Sequence, residues 1–425
     1  MGITDRPSSR AQIDADEPAR GRQASRRRPG LLRYGLGANR PALPSAGCKP
    51  APPGTGQEAS SCPTNELIMA TGEFAFIIHP VSGAKDLARK YPALRWVPEA
   101  VLEQLLKRMS PKPVSEITGV RSVTGAEAHG WFVGCPLTPR QFAELPTEFV
   151  LKKIIRAARL AQELGAKVVG LGAMTSVVGD AGVTIDRSVD IAVTTGNSYT
   201  VWTAVEGAKR AALLMGTNVS QARVAVMGAT GSIGQVCVRL MAEEAPAVTL
   251  IGRNAARLAE LAASVDGKAE IRYTTDAIIG LREADIVITV TSAVDTVVPG
   301  EALKRGAVVC DVARPRDVSK KVAKERPDVL VIEGGAVEVP GEVDFHLDFG
   351  FPPRTAYACM AETMILALEE RYESYSLGRD LSIERVKEIA ALAKKHGFKL
   401  AGFRSFEKQV TEEYIEGVKR AAGRG

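Results

Sequence analysis

Two rhythms of apolar residues alternate along the chain from about residue 70 onward. Short runs near 74–79, 114–123, 129–135, 166–171 and 189–193 read as strands, and the 3.6-residue periodicity over 148–164 and 198–215 predicts helices. A tighter alternation follows, with a strand at 223–227, a helix at 232–243 and a strand at 248–251. Further strands are expected at 286–290, 308–311 and 329–332. These later runs are continuously apolar, as required when helices cover both faces of a parallel sheet. From residue 353 on the pattern reads as helical. The expectation is an α/β protein with three ordered parts. An N-terminal α/β substrate domain covers 69–215, a Rossmann-type, doubly wound parallel sheet covers 216–345, and a C-terminal helical segment covers 346–425.

The first 68 residues break the rhythm. They carry nine prolines and no apolar periodicity, with ten Lys or Arg against six Asp or Glu. Such a composition buries too little apolar surface to offset the entropy of ordering. It reads either as a disordered tail, with Arg26-Arg27-Arg28 as a basic cluster, or as sequence ahead of a start at Met69. The remaining residues balance 45 basic against 43 acidic side chains, so the net charge of +6 gives no argument for a nucleic-acid partner. No run approaches 18 apolar residues, which argues against a transmembrane segment. The six cysteines, at 48, 62, 135, 237, 310 and 359, show no CxxC pairing or zinc-ligand spacing. A reducing, cytoplasmic setting without a metal site is expected.

Chemistry enters at the turn after the 223–227 strand: Gly228-Ala229-Thr230-Gly231-Ser232-Ile233-Gly234. Strand, glycine-rich turn and helix together predict a dinucleotide site. Gly228, Thr230, Gly231, Ser232, Ile233 and Gly234 would surround the pyrophosphate at a helix N-terminus. The second strand ends in Gly252-Arg253-Asn254 with Arg257 one turn on, where an NAD site usually places a carboxylate. Arg253, Asn254 and Arg257 therefore point to the 2′-phosphate of NADPH. Thr291 and Ser292, just past the fourth strand of this unit, fall at the carboxyl edge where such sheets hold ligands.

The four histidines are scattered and read as surface or core residues. Cys359 follows Pro352-Pro353 at the start of a helix, where the macrodipole favours a thiolate. Beside a reductive cofactor, a thiolate that captures an acyl group makes chemical sense. A small buried core thiol is the competing reading of the same residue.

Several motifs in order resemble one family. They are Leu171-Gly172-Ala173-Met174-Thr175-Ser176, Thr194-Thr195-Gly196-Asn197, the 228–234 turn with Gly252-Arg253-Asn254, Gly334-Gly335-Ala336-Val337-Glu338, Ala358-Cys359-Met360-Ala361-Glu362 and His396-Gly397-Phe398. From about Phe74 to Leu400 the chain resembles the NADPH-dependent long-chain acyl-(acyl carrier protein) reductases, which convert fatty acyl thioesters to aldehydes. The resemblance implies that Cys359 carries the acyl group, with Cys135 a second candidate. It implies NADPH as cofactor, and acyl carrier protein or acyl-CoA as the source of substrate. An aldehyde-consuming enzyme would act downstream. Thr175, Ser176, Gly196 and Asn197 would line the substrate site. The chain departs from the pattern at Ser198-Tyr199 and at Val339-Pro340-Gly341, which leaves the acyl preference open. An acidic carrier protein calls for a basic surface, and helical spacing puts Lys152, Arg156 and Arg159 on one face. Two other readings are a hydride transfer like that of shikimate or quinate dehydrogenases, for which no Lys–Asp catalytic motif is found, and an NADPH-sensing regulator without turnover.

Overall fold

The computed structural model describes residues 71–80, 96–293, 296–406 and 408–424, all within one compact unit. The expected tail, its arginine cluster, Met69, Cys48 and Cys62 lie outside the described residues.

The first sheet contains β1 (Thr71–Ile78), β2 (Lys112–Arg121), β3 (Glu127–Gly134), β4 (Val168–Leu171) and β5 (Ala192–Thr194), in the order β2-β3-β1-β4-β5. Only the β2–β3 pair is antiparallel; β3, β1, β4 and β5 run parallel. Helix α1 (Glu99–Arg108) precedes β2, and α2 (Thr147–Glu163) covers one face through Val150, Ile154, Ala157, Ala158 and Ala161. The opposite face, led by Phe74, Phe76, Phe132 and Val168, forms a second core.

Helix α3 (Asn197–Leu214) leads to the second sheet. Its members are β6 (Arg223–Met227), β7 (Ala247–Ile251), β8 (Glu270–Thr274), β9 (Ile286–Thr289), β10 (Val308–Asp311) and β11 (Leu330–Glu333). Their order is β11-β10-β9-β6-β7-β8, with every pair parallel. This is the doubly wound arrangement that the uninterrupted apolar runs imply. Helix α4 (Ser232–Ala242) follows β6 and α5 (Ala255–Ala263) follows β7. β8 escapes the apolar-run criterion because it is an edge strand whose Glu270, Arg272 and Tyr273 face water.

The chain beyond β11 is less purely helical than its pattern suggests. β12 (Ala336–Glu338), β13 (Thr355–Tyr357) and β14 (Lys399–Leu400) form a small antiparallel sheet, β13-β12-β14. Among the helices, α6 (Ala358–Leu368) is buried nearly all round and packs on the inner face of the first sheet. α7 (Ile383–His396) lies beside it. α8 (Glu412–Ala421) sends Ile415 and Val418 into the core of the second sheet. Among the described residues no helix is long and apolar enough to cross a membrane.

Candidate active site

The dinucleotide turn has the form its glycines require. Gly228 adopts φ +83°, and a Cβ there would press on the Val290 carbonyl at 2.9 Å. A Cβ on Gly234 would lie 2.2 Å from the Gly228 carbonyl oxygen, so α4 packs close to β6 only because this residue lacks one. Gly231 is exposed, and α4 begins there without a side-chain cap. The Gly231 N–H closes the turn on the Gly228 carbonyl at 3.0 Å, which leaves the helix-start N–H groups of Ser232 and Ile233, beside Thr230, as an open rim suited to a pyrophosphate.

At the end of β7 the Asn254 side chain accepts from Arg257 N–H at 3.1 Å and caps α5. Arg253 and Arg257 are exposed, with no carboxylate in ion-pair range among the described residues. Two free guanidiniums in place of a ribose-binding carboxylate fit a 2′-phosphate. Thr291 is placed differently from its expected part. Its hydroxyl donates to Asp317 at 2.5 Å and its N–H to the same carboxylate at 3.0 Å, so it braces the end of β9. Ser292 stays exposed on the rim.

Three strand ends converge on the start of α6. Gly196, just past β5, takes φ +71°, and a Cβ on it would sit 2.2 Å from the Cα of Cys359. Gly335, just past β11, accepts from the Ala358 N–H at 2.7 Å. Arg314, just past β10, holds its guanidinium 5.4 Å from the ring centre of Tyr357, the residue that caps α6. The turn that presses on Cys359 at Gly196 is thus 163 residues away from it in sequence.

The organiser of this junction is Glu362, which the sequence reading passed over. It is fully buried, and accepts from the Thr194 hydroxyl at 2.5 Å, the Ser376 hydroxyl at 2.7 Å and the Tyr199 N–H at 2.8 Å. These bonds clamp the turn from Thr194 to Tyr199 against α6 and so press Gly196 onto Cys359. Burial pushes the Glu362 carboxyl above its usual range, against the pull of those donors. It is the one charged residue of this helix, but nothing in the local sequence names its partners.

Cys359 differs from the other described cysteines. Cys135, Cys237 and Cys310 are buried, while Cys359 keeps a partial opening to solvent. Cys135, the second candidate, is fully buried, and burial pushes its thiol up to about 12. The expectation of a macrodipole-depressed Cys359 thiol is not met. Dense surroundings push it up to about 12; the Met360 N–H favours the thiolate, the nearby Glu362 opposes it, and Arg314 favours it weakly.

The four residues expected at the substrate site lie at the carboxyl ends of β4 and β5. Gly196 and Asn197 are buried at the Cys359 contact. Thr175 and Ser176 use their hydroxyls locally, donating to Gly172 O at 2.8 Å and Ala173 O at 2.7 Å. Their visible work is to build the turn after β4. Of the departures from the family pattern, Tyr199 is fully buried and stacked on Trp202 at 5.6 Å, and its hydroxyl has no hydrogen-bond partner among the described residues. On α2, Lys152, Arg156 and Arg159 are exposed, while Lys153 turns inward to donate to the Met109 carbonyl.

Comparison with known proteins agrees with this geometry. The family profile of shikimate/quinate 5-dehydrogenases matches residues 209–333, the nucleotide-binding sheet. A long-chain acyl-[acyl-carrier-protein] reductase from Synechococcus elongatus is 32% identical over 303 residues, covering 68% of this chain and 87% of that protein. The chain belongs to the NAD(P)-dependent reductase family that includes this acyl-carrier-protein reductase. The chain is also similar to the aminotransferase PigE of Serratia, 28% identical over 361 residues. That match covers 82% of this chain but only 42% of PigE, so this chain spans less than half of that relative's length. Among solved structures, L-tryptophan dehydrogenase from Nostoc punctiforme is a loose likeness, at 13% identity and a TM-score of 0.37 over 83% of this chain and 87% of that one. The order of the second sheet and the shikimate/quinate-type profile show a Rossmann-type fold, and the profile with the acyl-carrier-protein reductase relative supports an NADP-dependent oxidoreductase.

Proposed function

We propose that this reductase converts a long-chain fatty acyl thioester to the aldehyde, with Cys359 as the acyl acceptor. The observation that carries the reading is the enclosure of Cys359, the one described cysteine that is not fully buried, by the strand ends of both sheets. When bound, NADPH supplies the hydride; Gly228 to Gly234 would hold its pyrophosphate, and Arg253 and Arg257 its 2′-phosphate.

The chain's own residues account for the acyl transfer. Cys359 loses its thiol proton and its sulfur attacks the thioester carbonyl. The C–S bond to the carrier breaks, and the departing thiolate takes up a proton. Cys359 is left as a thioester, held at the first turn of α6 where helix N–H groups favour developing negative charge on the carbonyl oxygen. Reduction of that carbonyl and cleavage of its bond to sulfur release aldehyde and restore the cysteine. The exposed Lys152, Arg156 and Arg159 offer an acidic carrier protein a landing face, and an aldehyde-consuming enzyme would take the product.

The test is incubation with acyl carrier protein and acyl-CoA substrates plus NADPH, reading aldehyde, and then without NADPH, reading the acyl adduct by mass spectrometry. The proposal requires an adduct on Cys359 and loss of aldehyde in Cys359→Ser. Full activity in that variant, or an adduct elsewhere, would refute it. Charge reversal at 152, 156 and 159 should raise KM for the carrier-bound substrate and leave KM for acyl-CoA unchanged; equal effects on both would remove the docking face.

A further inference from the structure

Between β12 and β13 the chain devotes residues 339–354 to a single loop whose ends are tied, with Val339 N–H donating to Arg354 O at 2.7 Å. Its first arm is pinned to β2: Thr118 and Asp344 exchange backbone bonds at 2.9 and 3.0 Å, and the Ser115 hydroxyl donates to Phe345 O at 3.0 Å. Along this arm the side chains alternate as in a strand. Glu342, Asp344, His346 and Asp348 face water, while Val343, Phe345, Leu347, Phe349 and Phe351 turn inward.

The inward rings form a continuous track. Tyr357 meets Phe351 at 4.6 Å, Phe351 meets Phe349 at 5.8 Å, and Phe349 meets Phe345 at 5.1 Å and Phe132 at 5.9 Å. The track starts two residues before Cys359 and ends on the inner face of the first sheet. Cys359, Leu347, Phe349 and Tyr357 are all partly buried against the same cluster, whereas Phe132 and Phe345 at the far end are closed off. A compact fold rarely carries so long a loop without a functional reason. The Arg314 and Arg404 guanidiniums lie over its Tyr357 and Phe351 rings, and a partly exposed aromatic track that starts two residues from an acyl-accepting cysteine suits one occupant, the alkyl chain attached to that cysteine.

We propose that the inward face of the 339–354 loop, chiefly Phe349 and Phe351, is the surface on which the acyl chain lies and the determinant of the chain length accepted. This rests on the reading of Cys359 as acyl acceptor. Each methylene covered by the face should change kcat/KM about fourfold, the ratio equivalent to ~0.8 kcal/mol per buried CH₂.

The experiment measures kcat/KM for acyl-CoA substrates from C8 to C16 with the intact chain, Phe349→Ala, Phe351→Ala and the conservative Phe349→Leu. NADPH binding by fluorescence confirms that each variant is folded. The C16-to-C8 ratio should fall at least tenfold in the alanine variants and recover most of that loss in Phe349→Leu. Ratios within twofold of the unsubstituted chain, with all lengths slowed equally, would overturn the loop assignment and leave the thioester reading standing. Absence of aldehyde at every length in the unsubstituted chain would overturn the thioester reading and the loop assignment with it.

Discussion

Replacing Glu362 separates two contributions that the structure superimposes, its hydrogen bonds and its charge. Glu362→Ala leaves the buried Tyr199 N–H without an acceptor, which costs about 1–3 kcal/mol. The Thr194 and Ser376 hydroxyls lose a partner as well, although Ser376 keeps its bond to Ser198 at 2.7 Å. With the void left by the truncation the total is roughly 3–5 kcal/mol, a large part of a typical domain's stability. Glu362→Gln keeps the shape: its carbonyl can accept from Tyr199 N–H and its amide can donate to the hydroxyl oxygens. The charge then decides the pH dependence. Because burial raises the folded-state pKa above the unfolded value near 4.5, the carboxyl's favourable contribution is fully present below that value. It is lost as pH rises through the folded pKa, whereas glutamine has no charge to desolvate. Urea unfolding between pH 5 and pH 8 should therefore show Glu362→Ala least stable throughout, with Glu362→Gln gaining on the unsubstituted chain as pH rises. Alanine and glutamine variants of equal stability, or a gap between glutamine and glutamate that does not change with pH, would refute the assignment of Glu362 as a buried, hydrogen-bonded clamp.

Other outcomes follow from single contacts. Alkylation of Cys359 in the cofactor-free protein should accelerate about tenfold per pH unit from pH 7 to 10 without levelling, because its thiol lies at about 12; a plateau near pH 7 in iodoacetamide kinetics would contradict this. Gly196→Ala should abolish acylation or folding, since its Cβ would overlap the Cys359 Cα in a left-handed backbone. Gly207→Ala, with nothing within 4 Å of the added methyl, should raise stability by about 0.5–1 kcal/mol in urea titrations. Arg253→Ala should weaken NADPH binding about 10- to 100-fold, the range for loss of one charge-assisted hydrogen bond, while sparing NADH; titration of both nucleotides by fluorescence checks the difference.

The parts legible in the sequence were those with a strong local pattern. Buried parallel strands such as Val308–Asp311 read as unbroken apolar runs, and the 228–234 turn declared its ligand through glycines that a Cβ would block. The helix over 147–163 showed its buried stripe directly. What escaped depends on tertiary context. β12 and β13 are three residues each, too short for a period. Glu362 looks like any helix carboxylate until the fold brings Thr194 and Ser376 to it. The environment of Cys359 misled in the same way: helix position is visible in sequence, but the desolvation that outweighs it comes from segments remote in the chain. Thr291 sits where a ligand contact was expected, yet spends its hydroxyl on Asp317, a partner 26 residues away.

Helix α3 contributes Tyr199 to one core, and Val201, Val205 and Ala208 to the other. At 1.5 Å per residue it is a strut of about 27 Å, with one end at Cys359 and its flank against the nucleotide sheet. From Ala204 on, its buried face is Ala204, Gly207, Ala208, Ala211 and Ala212 with Val205, so along this stretch the spacing between the two sheets is set largely by methyl groups. Insertion of one residue would turn everything beyond it by about 100°, and Cys359 and the 228–234 turn would no longer keep their relative placement. Length variation in the family is therefore expected in surface loops, with this strut held at a fixed number of residues.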